Sequence, residues 1–295
     1  MLLAWVLFAA GCTVNPHVDR EMLTAPTAVS DAYSQVNMHL RLATSVASNE
    51  QCNFSGCMES AQFDERVSRI GARLAAAAYV KYPDLIERVS AFEFIVVDKV
   101  EPGTVSTAGG MVAVLRPVSA VARSDEALSF VLAREIGHVV ARHHEENTGT
   151  SILVSVLATV LAPVTTVLKA LATVYQGATT AIASASVTAA SFASSKVLIA
   201  TYRPRQLDEA DRIALELLSA AGMDTSEVRS GFSEPDLRAF DEQWLRDLQK
   251  SVNGLAQRVV TPAPHRIPAD ATTAQAAAMV AALYHPVLRL ATELR

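Results

Sequence analysis

Apolar residues return at spacings of three and four through Leu128, Val131, Leu132 and Val139, which predicts a helix with one buried stripe. The predicted helix runs from Ser124 to Glu146, SDEALSFVLAREIGHVVARHHEE. Ser124 can cap it. Asp125 and Glu126 suit the positive end of the helix dipole, and Arg142, His143 and His144 suit the negative end. Glu135 and His138 fall on or beside the same stripe, and ionisable groups on an apolar face need a partner or a task.

The same periodicity predicts a core helix over Gln62 to Tyr82, through Phe63, Val67, Ile70 and Leu74, stopped by Pro83. Residues 13–60 read as a linker plus a packing helix from Ala28 to Ser48. FEFIVV (Phe92 to Val97) and MVAVLRP (Met111 to Pro117) read as strands, with EPGTVSTAGG between them as turn material. Gln206 to Ala221 reads as a helix capped by Gly222. Its buried stripe is Leu207, Ala210, Ala214, Leu217, Leu218 and Ala221, and Glu209, Arg212 and Glu216 lie on an opposite, solvated face. Further helices are expected around Trp244 and over Ala274 to Leu283, separated by TPAPHRIP.

Lys169 is the only charged residue from 148 to 195. Ser151 to Leu168 has the length of a minimal membrane span, but it contains Pro163 and several Ser and Thr residues. Three readings of the apolar hairpin 150–195 stay open: buried, membrane-associated or substrate-contacting, and transmembrane. The fold class these elements predict is α+β and mainly helical, with a small β-sheet preceding the Ser124 helix. The expected divisions are 1–12, 13–60 and a main domain over 61–295.

Composition narrows the function. With 295 residues, 51% of them hydrophobic, the chain can bury a large core. A net charge of -5 without any dominant Lys/Arg cluster excludes a nucleic-acid partner. The run LFAAGC ending at Cys12 resembles a bacterial lipobox. That resemblance implies a signal segment over 1–12, lipidation of Cys12, and a periplasmic protein anchored to a membrane through that lipid. Cys52 and Cys57, in QCNFSGC, are then an even pair that an oxidising periplasm would join as a disulfide.

A helical His-Glu-x-x-His places two imidazoles on one face to bind zinc, with the glutamate polarising the metal's water. Here that run is Arg134, Glu135, Ile136, Gly137, His138. The segment from FEFIVVDKVEPGTVSTAGGMVAVLRP through EALSFVLAREIGHVVARHH, followed by RQLDEADRIALELLSAAGMD, resembles peptidase family 48 over about Gln62 to Asp224. That family comprises zinc metallopeptidases, including the HtpX, CAAX prenyl endopeptidase and periplasmic quality-control groups. The resemblance implies a zincin-like fold, Glu135 at the general-base position and His138 at a retained ligand position. It also implies that the two other zinc-ligand positions are substituted, by Arg134 and by Leu207, which stands four residues before Asp211. Asp211 and His143 are implied as supports of the site, and Thr261 stands where relatives often have a histidine.

Zinc is therefore the cofactor the resemblance implies, and one that Arg134 and Leu207 disfavour. The Arg134 guanidinium is expected to neutralise Glu135 or Asp211, since a buried carboxylate needs a positive partner. His143, five residues after His138 on one continuous helix, would point about 140° away from it. The expected function is that of a catalytically impaired or inactive peptidase relative that binds polypeptide, either a substrate or a client protein. An active zinc metalloendopeptidase of the cell envelope, and a structural lipoprotein with a membrane-contacting hairpin, are the alternatives.

Overall fold

The computed structural model describes residues 11–18, 20–47, 54–153, 203–232 and 243–255. Cys52, Thr261, the expected helix Ala274 to Leu283 and residues 154–195 of the apolar hairpin lie outside the described residues.

The first described residues form a β-hairpin where the sequence suggests the end of a signal segment and a linker. Strands β1 (Gly11–Asn15) and β2 (Arg20–Thr24) pair antiparallel, with Cys12 opposite Leu23. The hairpin is bound into the main body. Asn15 Nδ2 donates to the Ala141 carbonyl at 2.7 Å, Ala25 N–H donates to the Glu145 carbonyl at 3.0 Å, and His17 meets Asp84 at 2.9 Å. These contacts lie more than 65 residues along the chain from the hairpin, beyond the reach of local sequence patterns. Helix α1 (Thr27–Thr44) follows directly and is the packing helix expected near Ala28 to Ser48.

Helix α2 (Phe54–Lys81) starts earlier than expected and ends before Pro83, which opens a 3-10 turn. Phe63, Val67, Ile70 and Leu74 are all buried. The sheet comes next, built from β3 (Glu93–Val97), β4 (Thr104–Ser106) and β5 (Met111–Leu115). The spatial order is β3-β5-β4, with β5 parallel to β3 and antiparallel to β4. The two expected strands are therefore parallel neighbours, and the turn material between them supplies a third. Three residues are too few to show a strand period. The Gly-Gly turn is present: Gly110 N–H donates to the Thr107 carbonyl at 3.1 Å, and Gly110 has φ +95, a left-handed conformation that glycine adopts without steric cost.

Because β5 is central it is buried from Val112 to Leu115, which accounts for its continuous apolar run. Strand β4 is an edge. Val105 pairs with Ala113, so the backbone groups of Thr104 and Ser106 face away from the sheet.

Helix α3 (Asp125–Val140) begins as its sequence predicts, with the Ser124 side chain accepting a hydrogen bond from Ala127 N–H. It does not continue to Glu146. Arg142 has φ 59, and the chain turns there before helix α4 (143–153) resumes. The turn is held by Glu145, which is fully buried, accepts from Arg88 Nη1 at 3.0 Å and lies 3.8 Å from Arg142 Nε.

Helix α5 (203–220) buries the whole expected stripe from Leu207 to Leu218. It closes at Gly222, φ +67, with Met223 N–H donating to the Leu218 carbonyl, as a left-handed helix cap requires. Helix α6 (Gln243–Gly254) buries Leu245, Leu248 and Val252 and carries Trp244 toward the sheet edge. Among the described residues no helix is long and apolar enough to cross a membrane.

Candidate functional site

Helices α3 and α5 meet backbone to backbone. A Cβ on Gly137 would stand 2.7 Å from the Ala210 carbonyl oxygen, so only glycine permits this approach. One residue beyond Ala210, Asp211 reaches Arg134, whose Nε donates to Oδ1 at 2.7 Å. The side chains are 6% and 1% exposed, so this is a buried ion pair. The Arg134 guanidinium also lies 5.9 Å from the centre of the Phe130 ring, within cation–π range. Of the two carboxylates that the sequence offered it, Arg134 takes Asp211.

Glu135 has a separate set of partners. Thr104 Oγ1 donates to Oε1 at 2.6 Å and Ser106 Oγ donates to Oε2 at 2.7 Å. Each hydroxyl is in turn supplied from outside: Trp244 Nε1 donates to Thr104 Oγ1 at 2.8 Å, and His144 Nε2 lies 3.1 Å from Ser106 Oγ. A hydroxyl that gives its proton to a carboxylate must accept from its other neighbour, so His144 carries its proton on Nε2. Burial pushes His144 down to about 4, so its ring is neutral at pH 7. Edge strand β4 thus holds both oxygens of the general-base position, a role for Thr104 and Ser106 that no local motif announces.

His138 and His143 are brought together. Their Nδ1 atoms are 2.8 Å apart, and His143 Nε2 is 3.0 Å from Glu209 Oε2. The 140° separation expected on a continuous helix does not occur, because the left-handed Arg142 folds the chain back between the two rings. Burial lowers both imidazoles below the ordinary histidine range. With both neutral, the hydrogen-bond order follows: Glu209 accepts from His143 Nε2, and His143 Nδ1 accepts from His138 Nδ1. His138 Nε2 is left as a bare lone pair.

Glu209 does not face solvent as expected. It is drawn in by Arg20 of the hairpin, whose Nε donates to it at 2.8 Å and which also binds Glu146, with Nη2 at 2.7 Å from Oε2. Burial opposes the Glu209 charge, and the hydrogen bonds from His143 and Arg20 overcome it, holding the carboxyl below its usual range. Gln206 Nε2 completes the cluster on Glu146 at 2.7 Å. Arg212 and Glu216 keep the expected pairing four residues apart.

A zinc ion needs three protein ligands here, and the positions that the resemblance gives to them hold Arg134, His138 and Leu207. A guanidinium has no lone pair to donate and repels a cation, and a buried leucine side chain offers no donor. His143 and Glu209 support His138 from behind, as the partners of a metal-bound histidine do; Glu209 sits on the far nitrogen of His143 and cannot share an ion with His143 Nδ1. The donor set does not fit zinc. Away from this site, Cys57 is disulfide-bonded, and Cys12 lies in β1.

No curated protein matches the chain. The family model described as Peptidase family M48 matches residues 61–285, well over half of the sequence and inclusive of β3 to β5, α3 and α5. With the strand, Gly-Gly turn, strand and Glu-x-x-His helix in place, the chain belongs to peptidase family M48.

Proposed function

We propose that this chain is an M48 peptidase relative that has lost zinc-dependent hydrolysis and acts by binding extended polypeptide beside α3. The Arg134–Asp211 ion pair carries the reading, because it fixes a permanent cation at 2.7 Å from Asp211, on the residue that stands at a ligand position. The edge position of β4 supports the binding part: the backbone groups of Thr104 and Ser106 turn away from β5, and with the Thr104 carbonyl taken by Arg41 at 3.0 Å, the backbone of Ser106 is what a guest strand would pair with once the α1 side of this edge gives way. The run LFAAGC and the oxidised Cys57 support the further reading that the protein sits on the periplasmic side of a bacterial envelope with a lipid anchor at Cys12.

Elemental analysis of the purified full chain tests the loss of zinc. Far less than one zinc per chain, with no cleavage of an unfolded casein substrate, is expected. One equivalent of tightly held zinc overturns the reading. The pair Arg134→His and Leu207→Glu, made together, should restore zinc binding, because His138 and its His143–Glu209 support are already in place. Labelling with palmitate tests the anchor, and label that survives Cys12→Ala removes it.

A further inference from the structure

Helix α1 is amphipathic in the inverted sense. Its buried residues are Ser30, Ser34 and Met38, and its inward polar groups grip the sheet. Ala108 N–H donates to Ser34 Oγ at 3.0 Å, Gly109 N–H to Asp31 Oδ1 at 2.8 Å, and Arg41 Nη1 to the Thr104 carbonyl at 3.0 Å. The outward face is the apolar one. Val29, Val36 and Leu40, spaced by seven and four, share a side of the helix and are between 46% and 58% exposed. Ala32 and Ala43 fall within the same arc and are also exposed. Beyond the helix end, Val46 and Val100 are joined by a backbone hydrogen bond of 3.1 Å and add two more exposed apolar side chains. A water-facing helix normally shows the opposite arrangement, and an apolar strip of this extent marks an interaction surface.

We infer that this face of α1 lies on the lipid surface that the Cys12 anchor enters. The choice of occupant rests on the Cys12 reading and on continuity. Cys12 pairs with Leu23, so the residue that would carry the lipid sits beside the segment that leads into α1 at Thr27. A chain inserted through Cys12 therefore brings the first turn of α1 to the headgroups. The outward arc bears no carboxylate; Asp31, the one acid in α1, is turned inward onto Gly109 and Gln35. Lys99, just beyond the helix end, donates to the Ser45 carbonyl at 3.1 Å.

The test uses the full chain reconstituted into vesicles of phosphatidylethanolamine and phosphatidylglycerol in which part of the lipid carries a brominated acyl chain. Tryptophan is introduced by Val36→Trp on α1 and, as a control, by Val80→Trp. Val80 is equally exposed but lies near Tyr82, which packs on His17 at the turn end of the hairpin, away from Cys12. At least twofold bromine quenching of the added emission for Val36→Trp, and little for Val80→Trp, is expected. Equal quenching at both sites, or none at either, overturns the inference. So does efficient disulfide cross-linking between two copies of Val36→Cys, which would make the occupant a second chain. Palmitate labelling is read separately: an unlabelled protein whose α1 tryptophan is still quenched loses the anchor and keeps the lipid-facing helix, and a labelled protein without quenching does the reverse.

Discussion

Replacing Arg134 by methionine keeps most of the side chain's volume and removes its charge, leaving Asp211, 1% exposed, without its cation. Breaking one side of a buried ion pair costs about 3–5 kcal/mol, because the surviving charge is left in a medium that solvates it poorly. The 2.7 Å contact and the near-complete burial of both side chains place this pair in that class and not among surface pairs worth under about 1 kcal/mol. With a urea dependence of about 3 kcal/mol per molar, the unfolding midpoint of Arg134→Met should fall by about 1–2 M. Asp211→Leu alone should cost a similar amount by stranding the guanidinium. The double variant should recover most of the loss, since a hydrophobic pair of similar volume replaces a buried ion pair at little cost. Recovery will be incomplete, because Asp211 makes a further interaction of its own. A midpoint shift below about 0.3 M for Arg134→Met, or simple additivity in the cycle, would refute the view that the pair is what holds this part of the site.

Two further outcomes are expected. Gly137→Ala would put a methyl group 2.7 Å from the Ala210 carbonyl, between two helix backbones that cannot flex like a side chain; thermal or urea unfolding should show a loss of about 1–3 kcal/mol, and an unchanged midpoint would mean that α3 and α5 separate freely. Lowering the pH should destabilise the protein before any carboxylate titrates. The folded values of His138, His143 and His144 lie below the ordinary 6.5, with His144 at about 4. The unfolded chain therefore binds protons first, and the stability present above pH 6.5 is lost as pH falls toward the folded values. Each such histidine contributes a slope of about 1.4 kcal/mol per pH unit over that window. Glu209 and Glu216, held below their usual range, add losses below about pH 4.5. Urea midpoints that stay level from pH 7 to pH 5 would contradict the buried, neutral imidazoles.

The parts of the fold that repeat locally were legible from the sequence. The stripes of α2, α3 and α5, the Ser124 cap, the Gly-Gly turn and the Gly222 cap are each written in spacings of a few residues, and each is present in the structure. Three features were not legible. The break at Arg142 sits inside a strong helical pattern, and what decides it is Arg88 and Glu145, two residues far apart in the chain that meet only on folding. Glu209 looked solvated because its neighbours on α5 are, and Arg20, 189 residues away, draws it inward. Strand β4 is too short to declare a period, yet its hydroxyls hold Glu135. The substituted positions Arg134 and Leu207 could be named from sequence, but the choice of Asp211 as the arginine's partner needed the approach of α3 to α5.

The docked hairpin also sets an order in time. Arg20 is synthesised early, and Glu209, one of the two carboxylates it binds, follows 189 residues later, a delay of roughly 10–40 s at ordinary rates of synthesis. Until Asp84, which His17 meets, has been made, β1 and β2 have only each other, and an isolated two-stranded hairpin is marginal in water. Its docking is therefore spread along synthesis, first onto Asp84, then onto Ala141, Glu145 and Glu146, and later onto Glu209.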